Sequence, residues 1–407
     1  MTGFFSKKET ESKSRPDGKF YSCASCKLYK GIQTPKMPTY GNFKKKILII
    51  GEAPGMTEDR KGKPWQGKTG QLLERTLDGL GVDLFEDCKS INAVNCLPLS
   101  KDKEQRNPTS IEITHCRRRV INEINESQPK MIFLLGNAAV ESVIGHRWKK
   151  DLGTISKWRG WTIPDQDYMS WICPTFHPSY VERSEREVKT IWRQDLKQAL
   201  SKLDESPPVS QKAKIEIIDD LSVLENVSGI CAVDYETTGI KPHAKGHRII
   251  CAAVADSVDH CYAFMMPSKK KDRMAFLNLM WDKTVGKVAQ NMKYEDHWTN
   301  VRLRQPVRNW EWDTMIATHI LDNRQGITSL KFQTYVQFGV VDYDSEIAPY
   351  LQAKDSKNSN AINRIYELLK QPQGKEKLLE YCGWDAIYEL RLAFLQMKQL
   401  NYEFLPF

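Results

Sequence analysis

The chain has 407 residues, of which 40% are hydrophobic and 27% charged, and it carries a formal net charge of +9. That length exceeds what one ordinary core supports, so two domains of about 200 residues are expected. No run approaches the roughly 20 apolar residues of a membrane span, and the polar start MTGFFSKKETESKSRPDGK is no secretory signal, so a cytoplasmic location follows by default.

Residues 1–20 read as a flexible, solvated tail. Beyond it, Cys23-Ala-Ser-Cys26 opens a stretch in which short apolar strands alternate with helices. Lys46–Ile50 and Met131–Leu135 have the unbroken apolar character of buried parallel strands, each running into a glycine. Between them, Thr109-Ser-Ile-Glu112 is a capping-box signature. The helix it opens carries Ile113, Cys116, Val120, Ile121 and Ile124 on one face. This alternation implies a parallel sheet covered by helices. Paired prolines and polar residues at 204–214 mark a linker, which separates a domain at 21–203 from one at 215–407. Three consecutive strands then follow, ICAVDYE, IICAAVA and HCYAF, before longer helical patterns.

Ten cysteines without a secretory leader argue for metal ligation or burial over disulfides. Cys23, Cys26, Cys96 and Cys116 offer four thiolates to zinc or to a [4Fe–4S] cluster. The other six lie in apolar stretches and read as small core residues. The mild basicity fits a phosphate-rich partner, and Lys44–Lys46, Arg117–Arg119, Lys149–Lys150 and Lys269–Lys271 are candidate phosphate contacts.

In the second half, Asp234 and Glu236 stand two residues apart at the end of an apolar strand, so they share one face. A bound cation is the economical partner for such a pair. Asn291-Met-Lys-Tyr294-Glu295-Asp296, then Asp313, then Tyr381 and Asp385 four residues apart on a helix, follow in order. From about 215 to 407 this set resembles the DEDD exonuclease superfamily, in the tyrosine subclass that includes the proofreading domain of family A DNA polymerases. The resemblance implies an RNase H-like fold and two Mg2+ (or Mn2+) ions. It makes Asp234, Glu236 and Asp385 metal ligands and has Tyr381 orient the attacking water, with Asp313 nearby in a less direct role. The family's second-motif aspartate corresponds to Glu295 by register, with Asp296 the alternative.

In the first half, Gly51-Glu-Ala-Pro-Gly55, Gly62–Leu73, Asn92-Ala-Val-Asn-Cys96, Arg106-Asn-Pro-Thr109, Pro129–Gly136 and Pro174-Thr-Phe-His177-Pro-Ser179 occur in order. Together they resemble family 4, the iron–sulfur branch, of the uracil-DNA glycosylase superfamily. That resemblance implies a three-layer α/β/α domain with a [4Fe–4S] cluster on Cys23, Cys26, Cys96 and Cys116. It places Glu52 toward the sugar and water, Trp65 against the uracil, Asn92 on the uracil edge and His177 as donor to the departing base, with Glu58 a further acidic residue of the site.

The expectation is therefore an α/β chain: a uracil-DNA glycosylase-like domain followed by an RNase H-like 3′→5′ exonuclease. It would act on uracil-containing DNA and 3′ ends, with a DNA polymerase supplied in trans, an arrangement with a virus-like look. The alternative keeps the exonuclease and makes the first domain a silent DNA-binding module.

Overall fold

The computed structural model describes residues 23–355 and 357–402; the tail expected over 1–20 lies outside them. The chain divides into two compact units. One comprises the described residues up to Thr162 together with Asp167–Pro207, the other Ile163–Gln166 and the described residues from Pro208.

The first unit is built on four parallel strands, β1 (Ile47–Gly51), β2 (Cys88–Asn92), β3 (Met131–Leu135) and β4 (Ser170–Thr175), in the order β2–β1–β3–β4. Every residue of β1 and β3 is buried, which is why their sequences run apolar without alternation. On one face Ile47, Ile49, Phe133 and Leu135 meet Leu73 and Leu77 of the helix Lys68–Asp78 and Trp192 and Leu196 of the helix Arg186–Leu200. β1 starts one residue later than expected because Lys46 takes φ +55 and closes a turn on the Phe43 carbonyl. The expected capping box forms: the Glu112 backbone N–H donates to Thr109 Oγ1 at 3.3 Å, and the Thr109 N–H to Glu112 Oε2 at 2.8 Å. Such a cap is worth about 1 kcal/mol. The helix it opens runs Ser110–Ser127. From β1 the chain steps outward to β2 and then back across to β3, and this reversal opens a crevice at the carboxyl ends of the strands.

The second unit holds a six-stranded sheet of β5 (Lys214–Ile217), β6 (Ile230–Thr237), β7 (Ile249–Ser257), β8 (His260–Met265), β9 (Gly286–Ala289) and β10 (Trp310–Asp313), ordered β10–β9–β6–β7–β8–β5. The three strands read from sequence, β6 to β8, form the antiparallel meander. Strand alternation sorts β6 between two cores. Cys231, Val233 and Tyr235 join Phe264, Phe276 and Trp298 on one face. Ala232 joins Leu379, Cys382, Ala386 and Leu390 of the long helix Gly374–Gln399 on the other. Small residues let that helix approach closely: a Cβ at Gly383 would meet Ile215 Cγ2 at 2.7 Å. Asp234 and Glu236, in phase with Ala232, are thereby directed beneath the helix.

Candidate active sites

The last helix brings Asp385 down onto the β6 carboxylates, and ligand oxygens of Asp234, Glu236 and Asp385 all lie within 4.8 Å of one another. Glu236 and Asp385 are 8% and 6% exposed. Burial, with the Asp385 charge next, pushes the Asp234 carboxyl up to about 7. Burial and the charge of Asp234 raise Glu236 well above the usual carboxylate range. Asp385 Oδ1 accepts hydrogen bonds from the Lys331 ammonium and, at 2.6 Å, from the Tyr343 hydroxyl. The ammonium sits 4.0 and 4.3 Å from the ring centroids of Tyr343 and Tyr381, a cation–π cage. Tyr381 lies one helical turn before Asp385 and is buried.

Of the two second-motif candidates, the structure turns Glu295 inward. It is buried, its carboxyl is raised by burial and then by the Asp234 charge, and its Oε2 has no partner. Asp296 instead accepts from Asn300 Nδ2 at 2.9 Å and Trp310 Nε1 at 3.1 Å. Asp313 is a pin. Its carboxylate accepts the backbone N–H groups of Asn291, Met292, Met315 and Ile316 at 3.0 ± 0.2 Å, tying the second-motif turn to the cap of the helix Thr314–Leu321. Three residues not foreseen join this surround: Lys331, Tyr343 and Glu389. Glu389 stood four residues past Asp385, where helical spacing made it visible; nothing in the sequence marked the other two. The buried, partnerless Glu295 Oε2 and Glu389 Oε2 are what a cation-binding carboxylate set leaves when described without its ions, so the residues present fit a divalent metal centre.

In the first unit, Glu52, Asn92, Gly136 and His177 stand at the carboxyl ends of β1, β2, β3 and β4. Gly51 is required there: a Cβ would lie 2.5 Å from Asn92 Oδ1 and 3.0 Å from Trp65 Cζ2. Trp65, at φ +61, presents its ring 5.9 Å from that of His177, and its buried Nε1 lacks a partner. Glu58 holds this loop in place, accepting the N–H groups of Gly55 at 3.2 Å, Gln66 at 2.9 Å and Gly67 at 2.7 Å. Its carboxylate is thus taken up by backbone. Burial raises the Glu52 carboxyl against a weaker opposing pull from Arg183.

His177 Nδ1 accepts the Ser179 backbone N–H at 3.3 Å and contacts Ser179 Oγ at 2.7 Å. In the neutral ring this leaves the proton on Nε2, a donor with no protein partner among the described residues. Burial, then Arg183, pushes the His177 pKa down to about 4, so the ring is neutral near pH 7. The unfolded chain takes up this proton near pH 6.5, so the group costs nothing above that pH and costs stability as pH falls from about 6.5 through about 4. A His177→Gln variant should therefore lose less thermal stability than the parent over that interval in paired melts. Parallel Tm profiles would contradict the assignment.

The thiols of Cys26, Cys96 and Cys116 are raised by burial and feel one another's charge and that of Cys23, so the four sulfurs are neighbours. The Lys36 N–H donates to Cys96 Sγ at 3.3 Å, and Arg119 holds the same loop through the Lys36 and Met37 carbonyls. Among the described residues, no three of these sulfurs come within 4.8 Å of one another. A tetrahedral zinc at about 2.3 Å from each sulfur needs them about 3.8 Å apart. The donor set and its wider spacing therefore fit an iron–sulfur cluster better than one zinc ion. The other six cysteines are buried. Arg117 and Arg119 are spent on backbone carbonyls, and Lys44 and Lys45 pair with Glu86 and Asp87, so these basic clusters serve the fold first.

These sites define the class. Residues 38–201 match the uracil DNA glycosylase superfamily, to which the chain belongs, and residues 211–400 match a 3′-5′ exonuclease family. The chain is a fusion of the two kinds of domain. Its relatives include the type-4 uracil-DNA glycosylase of Saccharolobus solfataricus, 34% identical over 39% of this chain and 71% of that one. That of Thermotoga maritima is 31% identical over 44% of this chain and 88% of its own. Among solved structures, Brucella melitensis NrnC with bound Mg2+ is 15% identical, over 47% of this chain and 83% of that one, at a TM-score of 0.33. No helix among the described residues is long and apolar enough to cross a membrane.

Proposed function

We propose that this chain hydrolyses DNA in two ways: it removes uracil through residues 21–203 and shortens 3′ ends through residues 215–407, across a linker at 204–214. The observation that carries the nuclease reading is the convergence of Asp234, Glu236 and Asp385 from a strand and a distant helix. A pair of divalent ions bound there would supply an activated water and stabilise the leaving 3′ oxygen. The protein's own part is to hold the carboxylates in place. Lys331 and Tyr343 fix Asp385 through its Oδ1, Asp313 fixes the turn that delivers Glu295, and Tyr381 stands beside Asp385 to orient the incoming water.

For uracil, the base must leave the stack to be reached. Trp65 supplies the stacking face, and Asn92 supplies a side-chain amide with no partner among the described residues. Cleavage of the glycosidic bond places negative charge on the departing base while water adds at C1′. The neutral His177 Nε2–H is aimed to stabilise that charge, as an oxyanion hole does. Glu52 lies beside the sugar position. Cys23, Cys26, Cys96 and Cys116 would hold a [4Fe–4S] cluster that ties the N-terminal segment to the helix Ser110–Ser127. Cys116→Ser is expected to lose the visible absorbance of anaerobically purified protein and to lower Tm; unchanged colour would remove the cluster assignment.

The reading is tested with one uracil-containing, 5′-labelled oligonucleotide. In EDTA followed by alkali, a single break at uracil is expected. In Mg2+ without alkali, a ladder shortened from the 3′ end is expected. Intact DNA in EDTA leaves the first domain as a DNA-binding module, and intact DNA in Mg2+ ends the nuclease reading.

A further inference from the structure

Five carboxylates converge in the second unit, yet the only recorded ion pair to any of them is that of Lys331 with Asp385. Asp234, Glu236 and Asp385 form a compact set; Glu295 and Glu389 lie outside it but near enough to feel it. Glu389 is 2% exposed and Glu295 3%, and each has an Oε2 without a hydrogen-bond partner. The Glu389 carboxylate accepts the Gln290 backbone N–H at the end of β9, and its strongest charge neighbours are Asp234, then Glu295, then Asp385. Glu295 likewise feels Asp234 first among charges. Asp234 is therefore common to two groupings, one with Glu236 and Asp385 and one with Glu295 and Glu389.

Helical spacing places Tyr381, Asp385 and Glu389 on one stripe of the long helix, with Glu389 a turn beyond Asp385. A carboxylate left buried and unpaired costs several kcal/mol, and the hard oxygen donors here suit a hard divalent cation. We propose that Glu389, together with Glu295, supplies the charge that holds a divalent cation beside Asp234, distinct from the one gathered by Asp234, Glu236 and Asp385. This rests on the exonuclease reading and adds to it a ligand from the last helix. It also gives the longer second-motif side chain, Glu295, a companion.

The test is Mn2+ binding to the full chain, by titration calorimetry and by the electron-spin signal of free Mn2+, alongside melts in EDTA and in Mn2+. The wild type should take up two ions per chain. Glu389→Gln, which keeps shape but removes charge, should bind the first ion normally and the second at least 10-fold more weakly. Its Tm in EDTA should equal or exceed that of the wild type, because an unpaired charge has gone, while its gain in Tm on adding Mn2+ should shrink. A purely structural glutamate would give the opposite sign in EDTA. Glu389→Asp should recover part of the second-site affinity, and Asp296→Asn should leave both sites unchanged. Wild-type affinity at both sites in Glu389→Gln, or a lowered Tm in EDTA, overturns the proposal. Absence of any Mn2+ uptake by the wild type would instead remove the exonuclease reading beneath it.

Discussion

Asp234→Asn is expected to slow 3′-end degradation by on the order of 10³-fold or more, equivalent to about 4 kcal/mol of lost transition-state stabilisation. Asp234 is the carboxylate nearest all the others: it sits in the compact set with Glu236 and Asp385 and within the field of Glu295 and Glu389. An amide preserves its shape and its place on β6 but removes the charge on which cation binding depends. The fold should not suffer, since Asp234 is raised to about 7 by burial and by Asp385, and a neutral side chain relieves that repulsion. Single-turnover digestion of a 3′-labelled strand in Mg2+ measures the loss, and the same preparation assayed for uracil excision in EDTA should match the parent. A variant retaining more than a tenth of the parental rate would mean that the carboxylates are not the seat of hydrolysis.

His177→Ala should reduce uracil excision by about 10²- to 10³-fold, the usual cost of losing one oxyanion-hole donor. The argument runs through the tautomer. With Nδ1 accepting from the Ser179 N–H, the only ring proton lies on Nε2. The depressed pKa of about 4 keeps the ring a neutral donor that does not require protonation to act. The substitution leaves Gly136 and Trp65, which pack against the His177 side, without a steric conflict. Excision measured in EDTA under single-turnover conditions should fall while 3′-end degradation in Mg2+ holds. If His177→Ala excises uracil at the parental rate, the departing base is stabilised elsewhere and the pocket assignment is wrong.

Much of both sites was legible because their residues sit on regular elements. The two-residue step from Asp234 to Glu236 guaranteed a shared strand face, and the four-residue step from Tyr381 to Asp385 a shared helix face. The capping box at Thr109 marked its helix to the residue. What escaped were partners that arrive from elsewhere in the chain. Lys331 and Tyr343 meet Asp385 across 54 and 42 residues, with no periodicity to connect them. Glu58 looked like a substrate group because an acid in a glycine-rich motif carries no sign of which N–H groups it will meet; three backbone donors claim it. Arg117 and Arg119 read as phosphate contacts for the same reason, and backbone carbonyls claim them. β2 and β4 were less visible than β1 and β3, since CKSIN and SWICPT mix polar residues into strands that are nonetheless largely or wholly buried.

The account turns on carboxylates from β6 and the last helix gathering divalent cations. Crystals of the full chain soaked in Mn2+ and measured at the manganese edge put that to the test. Two anomalous peaks are predicted, both touching Asp234, one shared with Glu236 and Asp385. Density that places Mn2+ only at the protein surface, with the three carboxylates bare, would contradict it.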